Sequence, residues 1–167
     1  MNTQNRMRIL LISAIVISVS VLTYLTLSFI TDSANKKTFS EKGLTITLTD
    51  DFSCVEDEAF TVCFTNGSYS VMALKEDLEL FPEGMSLEAY TGLLLEGEEE
   101  SIAPYEYKGI TCIDHITTFD TGERYGFFIA IFKAEDAFWC ISFTAKEADF
   151  EEALPLFRQW ATSVSFD

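Results

Sequence analysis

Histidine occurs once in this chain of 167 residues, and none of the short motifs that announce an active site is present. There is no Gly-x-Ser-x-Gly, no His-Glu-x-x-His, no phosphate-cradling glycine loop and no Cys-x-x-Cys pair. The lone His115 follows Asp114 in a predicted strand, where successive side chains point to opposite faces. The two therefore cannot act as an adjacent acid and base, and His115 reads as a structural residue.

Positive charge is scarce as well, with 11 Lys and Arg against 27 Asp and Glu. Arg6 and Arg8 precede everything else that is charged, so residues from 31 onward carry 9 basic and 27 acidic side chains, a net of −18. Such a field argues against nucleic acid, whose binding depends on phosphate neutralisation by Lys and Arg, and against docking on anionic lipid heads. Solubility, a cationic partner or a metal ion remain compatible, and solubility is the simplest reading. The acidic groups at Asp50 with Asp51, Glu56 to Glu58, and Glu96 with Glu98 to Glu100 lack the alternating oxygen ligands of a dedicated calcium loop. They read as solvated turns, so neither a metal nor a cofactor is expected.

Charge is missing altogether from Ile9 to Ile30, a run of 22 residues that also lacks proline. As a helix it spans about 33 Å, enough to cross a hydrocarbon core of about 30 Å. The h-region of a cleaved secretory signal is shorter, about 7 to 15 residues, and ends at a small-x-small site that this run lacks. No cysteine sits near the end of the run to accept a lipid. The expected organisation is a basic tail at 1–8, a retained transmembrane anchor at 9–30, a polar linker at 31–38 and one domain at 39–167. Lys and Arg counts flank the span too evenly to orient it. The short tail before it and the four cysteines behind it favour an exported C-terminus.

Within the domain, Leu44, Ile46 and Leu48 alternate with Thr45, Thr47 and Thr49 as in a half-buried strand. Phe60, Val62 and Phe64 alternate up to Asn66-Gly67, a hairpin signal, and Tyr69 to Leu74 resume as its second strand. Ser86 caps a predicted helix carrying Leu87, Tyr90 and Leu94 on one face, with Glu88 in its first turn. It runs into Gly97 and the acidic Glu98 to Glu100, read as a surface loop. A three-strand meander follows: Tyr105 to Asp120, Tyr125 to Phe132 and Phe138 to Thr144. Its middle strand is apolar on both faces, so both need cover. A second helix on Phe150, Leu154, Phe157, Trp160 and Val164 is available, with Pro155 kinking it or marking its start. The expected class is α+β, an antiparallel sheet sandwiched between helices. Phe60, Val62, Leu87, Tyr90, Phe127, Ile129, Trp139, Ile141, Phe157 and Trp160 are its expected core.

Three stretches, FSEKGLTITLTDDF, VMALKEDLELFPEGMSLEAYTGLL and EALPLFRQWATSVSF, resemble the PsbP-like fold family. That group includes the extrinsic photosystem II protein PsbP, the Ran-binding Mog protein, and exported DcrB-like and LpqN-like lipoproteins. The resemblance covers residues 39–166. It implies a fold and an accessory or binding role, without a shared active site to carry over.

The cysteines read differently from one another. A hairpin turning at Glu56 to Ala59 sets Cys54 opposite Cys63, within the roughly 4.4 to 6.8 Å that a disulfide tolerates between α-carbons. Cys112 and Cys140 lie on the outer strands of the meander, about 9.5 Å apart or more, and should not bond. The favoured expectation is a non-enzymatic, membrane-anchored extracytoplasmic module of the cell envelope that binds a protein or a small molecule. The rival is an envelope hydrolase whose carboxylates, such as Asp114 with Glu123, are brought together by the fold.

Overall fold

The computed structural model describes residues 35–96 and 102–167. The apolar run at 9–30, with the tail before it, and the acidic loop at 97–100 lie outside the described residues. Among those described, no helix is long and apolar enough to cross a membrane.

Strand β1 (Lys36–Glu41) pairs with β2 (Leu44–Thr49), Phe39 standing opposite Ile46. Leu44, Ile46 and Leu48 are wholly buried, and the threonines between them are half-buried. β1 starts inside the stretch read as linker. Phe39 is its only apolar residue, so it carries no alternation of its own; it is a strand because β2 offers it an edge. The other edge of β2 takes the two-residue β10 (Ser165–Phe166), which completes a three-stranded sheet.

A second, seven-stranded sheet is built from β3 (Ser53–Val55), β4 (Val62–Thr65), β5 (Ser70–Asp77), β6 (Tyr105–Tyr107), β7 (Ile110–Thr118), β8 (Arg124–Lys133) and β9 (Ala137–Lys146). Its order is β3-β4-β5-β9-β8-β7-β6, antiparallel throughout. The Asn66-Gly67 hairpin is present with a wider loop than a two-residue turn. Asn66 Oδ1 accepts from the backbone N–H of Ser68 (3.1 Å) and of Tyr69 (2.8 Å). The first arm of the meander divides into β6 and β7, because Lys108 and Gly109 take φ of 51° and 80° and turn the chain in two residues.

Helix α1 (Leu87–Leu94) begins as its sequence predicts: Ser86 Oγ accepts from the Ala89 N–H at 3.1 Å. Helix α2 (Glu147–Ala161) contains Pro155 rather than starting there. Pro155 and Glu151, whose carbonyl loses its helical donor, are both solvent-exposed, so the break in the ladder lies on the outer face of the helix.

The two faces of the large sheet are covered unequally, and here the helix sandwich needs correction. One face carries Val62, Phe64, Val71, Phe128, Ile141 and Phe143, and it is sealed by α2 together with the three-stranded sheet. Phe157 and Trp160 of α2 and Leu44, Ile46 and Leu48 of β2 meet in that core. The opposite face carries a smaller cluster, Tyr90, Ile113, Ile131 and Phe138, under the eight residues of α1. Val62, Tyr90, Trp139, Ile141, Phe157 and Trp160 are buried as expected. Leu87, Phe127 and Ile129 are only half-buried because α1 is too short to roof the face, and Phe60 because it sits in a loop before β4.

Candidate functional site

The polar residues that the fold gathers lie where α2 crosses the β6–β7 edge. Asp114 points to the α2 side of β7, as strand alternation requires. Tyr105, on β6, donates its hydroxyl to both carboxylate oxygens at 2.8 and 2.9 Å. Arg158, near the end of α2, donates from an Nη to the Tyr105 hydroxyl oxygen at 3.0 Å and lies 3.5 Å from the Asp114 carboxylate. Its guanidinium stands over the rings of Tyr105 and Tyr107, 5.7 and 5.5 Å from their centres. Cys112, two residues before Asp114 on the same face of β7 and opposite Tyr105, is fully buried beside them.

Burial dominates the electrostatics of this cluster. It raises the Asp114 carboxyl above the usual carboxylate range, against the pull of the Tyr105 hydrogen bond and the Arg158 charge. Burial likewise pushes the Tyr105 hydroxyl up to about 12 and the Cys112 thiol up to about 12. The arrangement holds a half-buried carboxylate with a hydroxyl and a guanidinium. That ties the edge of the sheet to α2 and leaves Asp114 committed to its neighbours.

Glu123 does not join it. β7 and β8 pair Asp114 with Phe128, and Glu123 lies five residues back at the exposed hairpin end. That is about 17 Å along the strand. The pair Asp114 with Glu123, the example that the hydrolase reading offered, is not brought together.

His115 points to the other face, stacked on Phe127 with ring centres 5.1 Å apart. It lines a hollow of about 150 Å³ with Leu94, Leu95, Ile102, Ile113, Ile129 and Cys140. Burial raises the Cys140 thiol to about 11. At the far side of this face Tyr90 stacks on Phe138 at 4.2 Å and donates a short hydrogen bond to Glu76, a part-buried link that no sequence signal announced.

The acidic loop after β3 borders a wider hollow of about 690 Å³, lined by Glu56, Asp57 and Glu58 with Cys54, Phe60 and Cys63 among others. Asp51 is engaged locally, accepting from the Asn66 side-chain amide at 3.0 Å. Among the described residues, no three His, Cys, Asp or Glu side chains are grouped to hold a metal ion. Cys54 stands opposite Phe64, and Cys63 opposite Val55, one residue out of step with the register expected from the loop. A one-residue shift puts the two cysteines on opposite faces. All four cysteines are free thiols here.

Tyr105 and Arg158 were not singled out from the sequence. They lie 53 residues apart, and no local pattern links an edge-strand tyrosine to a helical arginine.

No protein-family model matches the chain, and no curated protein sequence matches it. Solved structures do. The solution structure of cyanobacterial PsbP (CyanoP) from Synechocystis sp. PCC 6803 aligns with a TM-score of 0.53 at 9% identity, over 80% of this chain and 94% of that one. LpqN of Mycobacterium tuberculosis, described as involved in cell envelope biogenesis, aligns at 0.50 with 6% identity over 80% and 91% of the two chains. A crystal structure from Bacteroides thetaiotaomicron aligns at 0.53 with 16% identity; the match covers 78% of this chain and about half, 48%, of that one. The chain has the PsbP-like fold, as its opening, helix and closing stretches suggested.

Proposed function

We propose that this protein is a non-enzymatic accessory module of the cell envelope, tethered by its N-terminal apolar run, with the acidic domain outside the cytoplasm and binding a protein partner. The observation that carries the reading is the closed character of the Asp114 cluster. Both carboxylate oxygens accept from Tyr105 and the charge is met by Arg158, so the half-buried acid is engaged in joining α2 to the sheet. What the domain offers to other molecules is surface: hollows, a sheet face only partly roofed by α1, and a strand edge. The uncharged run of 22 residues supports the tether. The similar structure of LpqN, a protein described by its role in cell envelope biogenesis, supports the setting.

Expression of the full chain in a bacterial host tests this. The protein should fractionate with membranes, retain Met1, and lose its domain to protease added outside intact spheroplasts. Release of a soluble product beginning near Asn35, or a domain shielded from external protease, overturns the tether or the orientation respectively.

A further inference from the structure

The seven-stranded sheet ends unevenly on the β6 side. β6 contributes only Tyr105–Tyr107, and its last pair is Tyr105 with Cys112. β7 runs on to Thr118. Among the described residues, no strand pairs with β7 beyond Cys112 on that side.

The direction of the backbone groups along this stretch follows from the turns at its two ends. The two-residue turn at Lys108-Gly109 makes Tyr107 and Ile110 a hydrogen-bonded pair, so every second residue of β7 from Ile110 onward addresses the β6 side. At the other end the Phe119 N–H donates to the Glu123 carbonyl at 2.9 Å, which turns the odd-numbered residues toward β8. Asp114, Ile116 and Thr118 therefore direct their N–H and C=O groups outward. Soluble proteins usually protect such edges with lysine, proline, a bulge or an inward charge. The one charge here, Asp114, is already held by Tyr105 and Arg158. Two apolar side chains are exposed here, Ile116 (40% exposed) within the stretch and Phe119 (46%) just past it.

We infer that the β7 edge from Asp114 to Thr118 is a strand-addition site for an extended segment of a partner protein, with basic side chains on the α2 face alternating with apolar ones on the other. Charge selects this occupant. On the α2 face Arg158 is engaged with Asp114 and Arg124 with Glu147 at 2.9 Å, which leaves the exposed Glu151 and the chain's net charge of −16 to set the field there. On the opposite face an added strand lies beside the aromatic group of Phe119, Tyr125 and Phe127. Lysine stems can lie along Ile116 while their ammonium groups extend toward Glu151. A second copy of this chain, net −16, repels itself at the same edge. Backbone hydrogen bonds supply affinity in this mode, and alternate side chains supply selectivity.

The inference rests on the reading of the domain as a binding module and names its surface. The probe is a capped heptapeptide of alternating lysine and valine, added to the full-length protein in neutral detergent. Binding should slow amide exchange at Ile116 and Thr118 at least tenfold and weaken with salt. In antiparallel addition, the geometry proposed, the lysine amides face β7; their N-methylation should cost at least tenfold in affinity, and N-methylation of the valine amides should not. Ile116→Pro removes the outward N–H, which an edge strand tolerates, and should lose the peptide, whereas Ile116→Ala, which trims the side chain and keeps the N–H, should retain it. Should the proline variant unfold, the two methylated peptides on the unaltered protein decide. Equal binding by both, protection elsewhere in the domain, or a dimer of the free protein protected at 114–118 overturns the proposal. Failure here with membrane tethering and external exposure intact removes the edge alone and leaves the envelope reading standing.

Discussion

The ring of Phe150 occupies the place where a side chain on Gly126 would stand: a Cβ at Gly126 would lie 2.1 Å from Phe150 Cγ. Gly126 is in β8, between Ile116 and Ala145, and Phe150 is in the first turn of α2. The absent side chain is what lets the helix settle onto the sheet. A strand glycine commonly marks such an approach.

Gly126→Ala should therefore destabilise by about 1 to 3 kcal/mol through overpacking, although alanine suits a strand better than glycine does. Phe150→Ala should cost about 3 to 5 kcal/mol as a cavity. Because the two changes relieve each other, the double variant should be more stable than the sum of the single losses by about 1 kcal/mol or more. Urea denaturation of the four proteins measures this, and additive losses would mean that the ring does not depend on the glycine.

The Asp114 cluster makes a second prediction. Arg158→Met keeps the stem but leaves a half-buried carboxylate without its cation, and it should cost about 1 to 3 kcal/mol at neutral pH. Asp114→Asn in the same background should recover part of that loss, since the uncompensated charge is gone. Denaturation midpoints that fall further in the double variant would show that Asp114 is not the group Arg158 serves.

Much of this architecture is legible in the sequence where one face alternates strongly. β2, β8, β9 and both helices follow from apolar period and the Ser86 cap. The misses share a physical cause: they depend on partners distant in sequence. β1 has one apolar residue and exists because β2 pairs with it. The three-stranded sheet closes through Ser165 and Phe166, 120 positions or more from Thr45 and Leu44. The register of β3 differs by one residue from the one that a turn at Glu56 to Ala59 predicts, Cys54 standing opposite Phe64, because the position of a loop does not fix a register to the residue. Tyr105 and Arg158 carried no local signal, whereas the alternation of Asp114 and His115 onto opposite faces was readable from the strand alone.

Alkaline pH should destabilise the fold. Tyr105 and Cys112 sit at about 12, Cys140 at about 11, and burial raises Tyr90 as well. Unfolded thiols and phenols titrate near ~8.5 and ~10. A folded group with a raised pKa keeps its proton where the unfolded chain releases it, so its contribution is full below the unfolded value and is lost as pH rises toward the folded one. The thermal midpoint should fall from about pH 9 upward on these groups' account, and the fall should be shallower in Cys112→Ala and Cys140→Ala. An unchanged slope in both variants would assign the loss to other groups.

The thiols supply the last test. Cys54 is exposed on the edge strand, whereas Cys63 and Cys112 are buried and Cys140 lies half under the open face. Burial raises the Cys63 thiol first, with the charge of Asp57 and then Cys54 adding to it. Iodoacetamide should label Cys54 first in the native protein and reach Cys63 and Cys112 only on unfolding, because the thiolate is the reactive form and burial suppresses it. In the observed register Cys54 and Cys63 point to opposite faces, and a bond between them requires β3 to slip by one residue against Phe64 and Val55. Non-reduced peptide maps of protein made in an exporting host should find no link between them. A Cys54 to Cys63 disulfide would establish that the three-residue strand β3 takes the slipped pairing in the oxidised protein. A Cys112 to Cys140 link would contradict the placement of β8 between their strands.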